Sequence, residues 1–230
     1  MNGGCWGLAW LLAMGCAIPA LAQDSEQSRY YIQQMIELAA DNDETGVTAM
    51  QRMLEQNPRP ASQNATASRA ALQRGQAALQ ANDLNAALTA FQQACQDDPS
   101  SVDAINHLGL VERKLHRLPD AERDFQRALA LEPTRAGTWF QLAQIYALNQ
   151  DARRTRGTLA NTYRFAQNSM RAEEILRHIA ENEASDILRN AALETLRLYQ
   201  LPAEAVIVPP LRANPGIEPL KTTPGSSHKS

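Results

Sequence analysis

Shifted against itself by 34 residues, the chain sets Gly75 on Gly109, Ala87 on Ala121, Phe91 on Phe125, Ala94 on Ala128 and Pro99 on Pro133. Small, aromatic and turn-forming residues thus return at one fixed period. Such a period marks an array of supersecondary units, each too small to bury its apolar face without its neighbours. Composition decides what the unit is made of. The chain is rich in Ala, Leu and Gln, and only 5% of its residues are aromatic, which suits helices and starves strands. Each unit is therefore read as helical.

This order of residues resembles the tetratricopeptide repeat, whose unit runs W-x2-L-G-x2-Y, then A-x3-F, then P. The resemblance implies that each unit is a pair of helices. Gly75 and Gly109 are small where the two helices approach closely, Ala87 and Ala121 answer from the facing helix, and Phe91 and Phe125 fill the gap between hairpins. Pro99 and Pro133 end each second helix, because proline lacks an amide hydrogen and disfavours helix in the residue before it. Ser100 and Thr134 are then expected to cap the helices that follow. The stretch Ser68 to Ser101 has the Gly, Ala, Phe, Ala and Pro; Val102 to Arg135 adds Leu108. A third first helix supplies Trp139, Leu142, Ala143 and Tyr146, with Ala in place of Gly. Arg74 and Glu112 stand where the pattern prefers Leu and Tyr, so a partly wet face is expected at the first repeat. After Tyr146 the register is lost, with Thr155, Thr162 and Gln167 at positions of Ala, Ala and Pro. A shifted match through Leu159, Ala160, Tyr163, Ala172 and Leu176 reads 151–166 as a helix serving both registers, with capping helices at 169–182 and 185–199. The resemblance implies an all-α fold, a right-handed superhelical stack of antiparallel helix hairpins over 68–200.

The ends differ in kind. Residues 1–22 carry no charged side chain, contain the apolar run Trp6 to Ala17 and close on Ala20-Leu21-Ala22, the pattern of a signal peptide cleaved before Gln23. An uncleaved anchor over Gly3 to Ala22 and lipid attachment at Cys16 are the alternatives. Cleavage would leave Cys95 as the one cysteine, without an internal disulfide, in a bacterial periplasm or outer envelope. Residues 23–60 read as a helix pair, Gln27 to Ala40 and Glu44 to Gln56, forming a degenerate repeat or a cap; 61–67 is a linker. From 201 to 230 six of the twelve prolines fall, and a disordered tail is expected.

With 22 basic and 25 acidic side chains, no field gathers nucleic acid. No nucleophile elbow, metalloprotease pair, phosphate loop or C-x-x-C is present, so an enzyme, a cofactor and a metal site are not expected. Asp103 and His107 lie four apart on one helical face, but two ligands do not make a site. Cys95 reads as a small half-buried hydrophobe, with a free thiol for intermolecular pairing as the alternative. The resemblance implies a concave groove lined by first helices, here Leu72, Gln76, Leu79, Asn106, Leu110, Arg113, Phe140, Gln144 and Leu148, fitted to a peptide or protein. Arg153, Arg154, Arg156, Arg164 and Arg171 gather on and beside one helix; they read as a solvated face paired with acids such as Glu173 and Glu174, or as a dock for an anionic partner. The functional expectation is a scaffold of the cell envelope serving a secretion, pilus or polysaccharide-export complex. An accessory subunit that recruits a cell-wall hydrolase is the alternative.

Overall fold

The structure, a computed structural model, describes residues 20–203. The expectations for residues 1–19, with Cys5 and Cys16, and for the tail beyond Ala203 lie outside the described residues. Among those described, all regular structure is helical: α1 (Ala20–Ala40), α2 (Glu44–Glu55), α3 (Ala65–Gln80), α4 (Leu84–Asp97), α5 (Val102–Lys114), α6 (Leu118–Leu131), α7 (Ala136–Leu148), α8 (Ala152–Arg164), α9 (Ser169–Asn182) and α10 (Asp186–Leu198).

The hairpins α3–α4, α5–α6 and α7–α8 share one turn. Asn82, His116 and Gln150, 34 residues apart, adopt positive φ of 58°, 58° and 62°. The next amides, those of Asp83, Arg117 and Asp151, donate back to the carbonyls of Ala78, Glu112 and Tyr146 at 2.9 Å. This closure satisfies carbonyls at the end of the first helix. The carboxylates of Asp83 and Asp151 then accept the amides of Ala86 and Arg154, each at 3.0 Å, and so start the second helix. Capping of the first helices differs from expectation by one residue. Ser101 caps α5, while the Ser100 hydroxyl donates to Asp98 at 2.6 Å; Arg135 stands at the N-cap of α7 and gives it no side-chain cap. Proline ends the preceding helix, and one further residue is needed before the chain turns into the next.

Inside each hairpin the glycine faces the phenylalanine ring rather than the alanine of the second helix, so the ring fills the hairpin's own interior as well as reaching the next one, where Phe91 stacks on His107. A Cβ on Gly75 would stand 2.5 Å from the Phe91 ring, and one on Gly109 would stand 2.9 Å from that of Phe125. Both rings are fully buried. The first helices α3, α5 and α7 touch in succession, whereas the second helices α4, α6 and α8 do not touch one another. First helices therefore line the inner side of a curved stack, and second helices stand splayed on the outer side.

The amino-terminal pair has the same hairpin turn, with Asn42 at φ 60° and Asp43 accepting the Gly46 amide at 2.8 Å. It does not extend the stack past α3. Instead α1 lies on the outer side across α6 and α8, and α2 packs on α6. Ile32, Met35, Ile36, Val47 and Leu54 enter one buried cluster with Phe125, Trp139 and Tyr146. The approach is close because α8 offers no side chain at Gly157, where a Cβ would stand 2.1 Å from the Ile36 carbonyl oxygen. One turn further, Asn161 Nδ2 donates to the Met35 carbonyl at 3.1 Å. Residues 23–60 are thus an outer strap, and α3 remains the free end of the stack. Arg74 is accordingly exposed on α3.

At the other end α10 runs beside α8. Arg156 bonds Glu194 at 3.1 Å, and the Tyr199 hydroxyl donates to the Ala160 carbonyl at 3.2 Å. Helix α9 touches α8 only lightly and does not touch α7, so the succession of first helices breaks there.

Candidate functional site: the inner groove and its terminal cleft

Polar rungs join successive first helices. Gln76 and His107 share a hydrogen bond of 3.3 Å, the Thr138 hydroxyl donates to Asn106 at 2.9 Å, and Arg135 reaches Asp103 at 2.5 Å. His107 also stacks on Phe91 at 5.2 Å between centroids. Burial pushes its imidazole below the usual histidine range, so it is held neutral against that ring. Asp103 and His107 are therefore parts of two different rungs.

The apolar members of the groove are less free than their spacing suggests. Leu72 and Leu79 are half-buried against the cluster of the first hairpins, Leu110 against that of the strap, and Phe140 against that of α7 to α10. Leu148, at 56% exposure, is the groove's open apolar side chain. Arg113 Nε and Gln144 Oε1 are buried without a hydrogen-bond partner, and desolvation lowers the pKa of the Arg113 guanidinium. The inner face so carries one open leucine, half-buried apolar neighbours and partly buried polar side chains.

Beyond Phe140 the groove widens into a cleft of 840 Å³ between the start of α7, the end of α8 and α9. Its apolar walls include Phe140, Leu159, Tyr163, Ile175, Leu176 and Ile179, and Arg171 lies at its rim. Ile175 is 43% exposed there. Periodicity could not reveal this cleft, which exists because α9 fails to take the next first-helix place. The loss of the 34-residue register after Tyr146 was its one sign.

The five arginines do not form a single free face. Arg153 bonds Glu37 at 2.5 Å and Asp41 at 2.7 Å on the strap, Arg164 lies 3.3 Å from Glu44, and Arg156 holds Glu194. Arg154 lies over the Tyr146 ring, 5.5 Å from its centroid, and 3.6 Å from Asp151. The acids come from the strap, from α10 and, for Arg154, from Asp151 at the start of α8, rather than from Glu173, which pairs with Arg177 at 2.9 Å. Arg171 alone of the five makes no ion pair among the described residues.

Two buried groups of the middle repeat belong to the core. Glu112 and Asp124 are both buried at the α5–α6 contact. Desolvation, reinforced by Asp124, pushes the Glu112 carboxyl up to about 8. Near neutrality the pair holds a proton, which is how a glutamate tolerates the place of a core tyrosine. Cys95 is buried, and desolvation raises its thiol to about 12, which favours its reading as a small hydrophobe over a pairing thiol.

Comparison with known proteins meets the geometry at the repeats. The sequence profile of the family described as tetratricopeptide repeat matches residues 45–102, 72–136 and 106–154. Comparison with curated proteins found no match. Among solved structures, a variant of the Thermobaculum terrenum O-GlcNAc transferase is similar at 22% identity and a TM-score of 0.47, over 61% of this chain and 28% of that one. The chain thus spans little more than a quarter of that protein, whose activity is its own. With the family profile matched three times across hairpins whose glycine, phenylalanine and turn positions recur, residues 45–154 of the chain are an array of tetratricopeptide repeats.

Proposed function

We propose that the chain is a non-catalytic adaptor of the bacterial cell envelope that holds a peptide or protein against the inner face of α3, α5 and α7, for the assembly of a secretion, pilus or polysaccharide-export complex. Tetratricopeptide repeats as a class support protein–protein interaction. The observation that carries the reading to one face is the strap. With α1 and α2 laid across α6 and α8, part of the outer side is occupied from within, while the inner side keeps Leu148 exposed. The envelope setting is supported by the uncharged apolar leader alone.

A photo-crosslinking residue at Gln144 or Leu148 on the inner face, compared in whole cells with one at Thr89 on the outer face of α4, tests the proposal. Adducts are expected from the inner positions. Leu148→Ala should weaken capture of the same partner by about 1–3 kcal/mol with an unchanged melting midpoint. Adducts formed through Thr89 and absent from Gln144 and Leu148 would place binding on the outer side and overturn it.

A further inference from the structure

The cleft beyond Phe140 has a volume of 840 Å³ and largely apolar walls, with Glu132, Arg135 and Arg171 among its polar lining, and no helix of the described chain covers it. That volume lies within the range of roughly 300–1,000 Å³ typical of ligand sites. Its occupant is indicated by where the chain leaves the fold. Helix α10 runs parallel to α8, as its bonds from Glu194 to Arg156 and from Tyr199 to Ala160 require, so it ends at the end of α8 that walls the cleft. Tyr163 lines the cleft and also packs on Tyr199, ring centroids 4.6 Å apart. After Tyr199 the chain continues through Leu201 and Ala203, half-buried against the same cluster that supplies Leu159, Leu176 and Ile179.

What comes next in sequence is Glu204 and then Ala205-Val206-Ile207-Val208-Pro209-Pro210-Leu211, with no charge before Arg212. The run holds three consecutive β-branched apolar residues, and the eight residues from 204 to 211 span up to about 28 Å when extended. The two prolines fix part of the backbone in advance and reduce the entropy lost on docking. The charge also matches, since Arg171 at the rim makes no ion pair among the described residues and Glu204 heads the segment.

We infer that residues 205–211 of the chain itself occupy the cleft, as a built-in ligand adjoining the groove. A segment tethered so close acts at an effective concentration in the millimolar range, so a weak intrinsic affinity suffices. The occupancy stands whether or not the groove takes a partner. Where the groove does, segment and partner meet at Phe140, and a partner reaching that far must displace the segment.

The test uses the full chain, methyl-labelled on Ile, Leu and Val, against the variant Val206→Asp, Ile207→Asp, Val208→Asp. These substitutions lie beyond the described core, and an unchanged melting midpoint verifies that the stack is intact. The methyl resonances of Leu159, Ile175, Leu176 and Ile179 are expected to differ between the two chains, while those of Leu54 and Ile105 coincide. A synthetic peptide of residues 204–214 should return the variant's cleft resonances to their native positions, and the native chain should need at least about tenfold more peptide to respond. Coincident cleft resonances in the two chains overturn the inference. So does equal saturation of both by the peptide, or a difference that grows with concentration alongside a doubled mass in light scattering, which would assign the cleft to a second copy. None of these outcomes depends on crosslinking through Gln144 or Leu148.

Discussion

Gly157→Ala is the sharpest perturbation the fold offers, because helix propensity and tertiary packing give it opposite signs. In an open helix the change would stabilise by about 1 kcal/mol. Here the new Cβ would stand 2.1 Å from the Ile36 carbonyl oxygen, a backbone atom. No side-chain rotation relieves that contact, so α1 must lift from α8. Lifting strains the bond from Asn161 to the Met35 carbonyl and loosens Ile32, Met35 and Ile36, all of them buried against the stack. Overpacking of about 1–3 kcal/mol and a weakened buried hydrogen bond of about 1–3 kcal/mol, less the propensity gain of about 1 kcal/mol, leave a net loss of roughly 1–5 kcal/mol. Complete release of α1 sets the ceiling, since those three side chains forfeit roughly 5–9 kcal/mol of burial between them. Gly137→Ala is the control: a Cβ there meets nothing within 4 Å, so that variant should be as stable as the native chain or more so, by up to about 1 kcal/mol. Urea unfolding gives the stabilities, and hydrogen exchange shows whether the loss is confined to α1 and α2. A Gly157→Ala chain as stable as the native one, with α1 still protected, would refute the close-approach argument.

Glu112→Gln should change how stability varies with acidity. Between the ordinary carboxylate pKa of 4.5 and about 8 the folded chain holds a proton that the unfolded chain gives up, so stability falls as pH rises through that window; melting midpoints across it should slope downward in the native chain and much less in the variant. His116→Gly should stabilise by about 1 kcal/mol, because an exposed non-glycine residue holds φ 58° there, and thermal melts read the gain directly. Cys95 should resist an aromatic disulfide reagent at pH 8 until denaturant is added, and rapid labelling of the native chain would contradict its burial.

The interior of each hairpin was legible in the sequence because it is set by residues close along the chain. Gly75 meets Phe91 and Gly109 meets Phe125 within one unit, so the 34-residue period carried the contact with it. The strap was not legible in the same way. Its bonds join Arg153 to Glu37 and Asn161 to Met35, across 116 and 126 residues, and no local period encodes such a distance. Gly157, Ala160 and Asn161 did hold a trace of it, as small or amide side chains on one face of a basic helix, where they make room for another backbone. The inner groove was half legible. Spacing placed Leu110 and Phe140 on first helices, but how far each sinks into the core depends on neighbouring hairpins and on α9 and α10, which had left the register. The arginine cluster shows the same limit: apart from Asp151 beside Arg154, the acids that pair with it lie on the strap and on α10, far away in sequence.

A bare repeat stack unfolds piecemeal, because each unit touches only its neighbours. The strap alters that rule by joining the second helices of two hairpins, α6 and α8, through a third body. An opening at either hairpin must also break the shared cluster around Trp139 and Tyr146, so the middle of the chain should melt as one cooperative block while α3 and α4 fray first. The order of synthesis adds a kinetic side. Residues 26–55 emerge before any other described part of the strap's surroundings, yet their resting place is incomplete until α8 has followed. The strap's apolar face therefore stays uncovered until α8 has followed, and contacts spanning 116 and 126 residues are of the kind that form slowly, so docking of the strap is expected to lag behind closure of the hairpins.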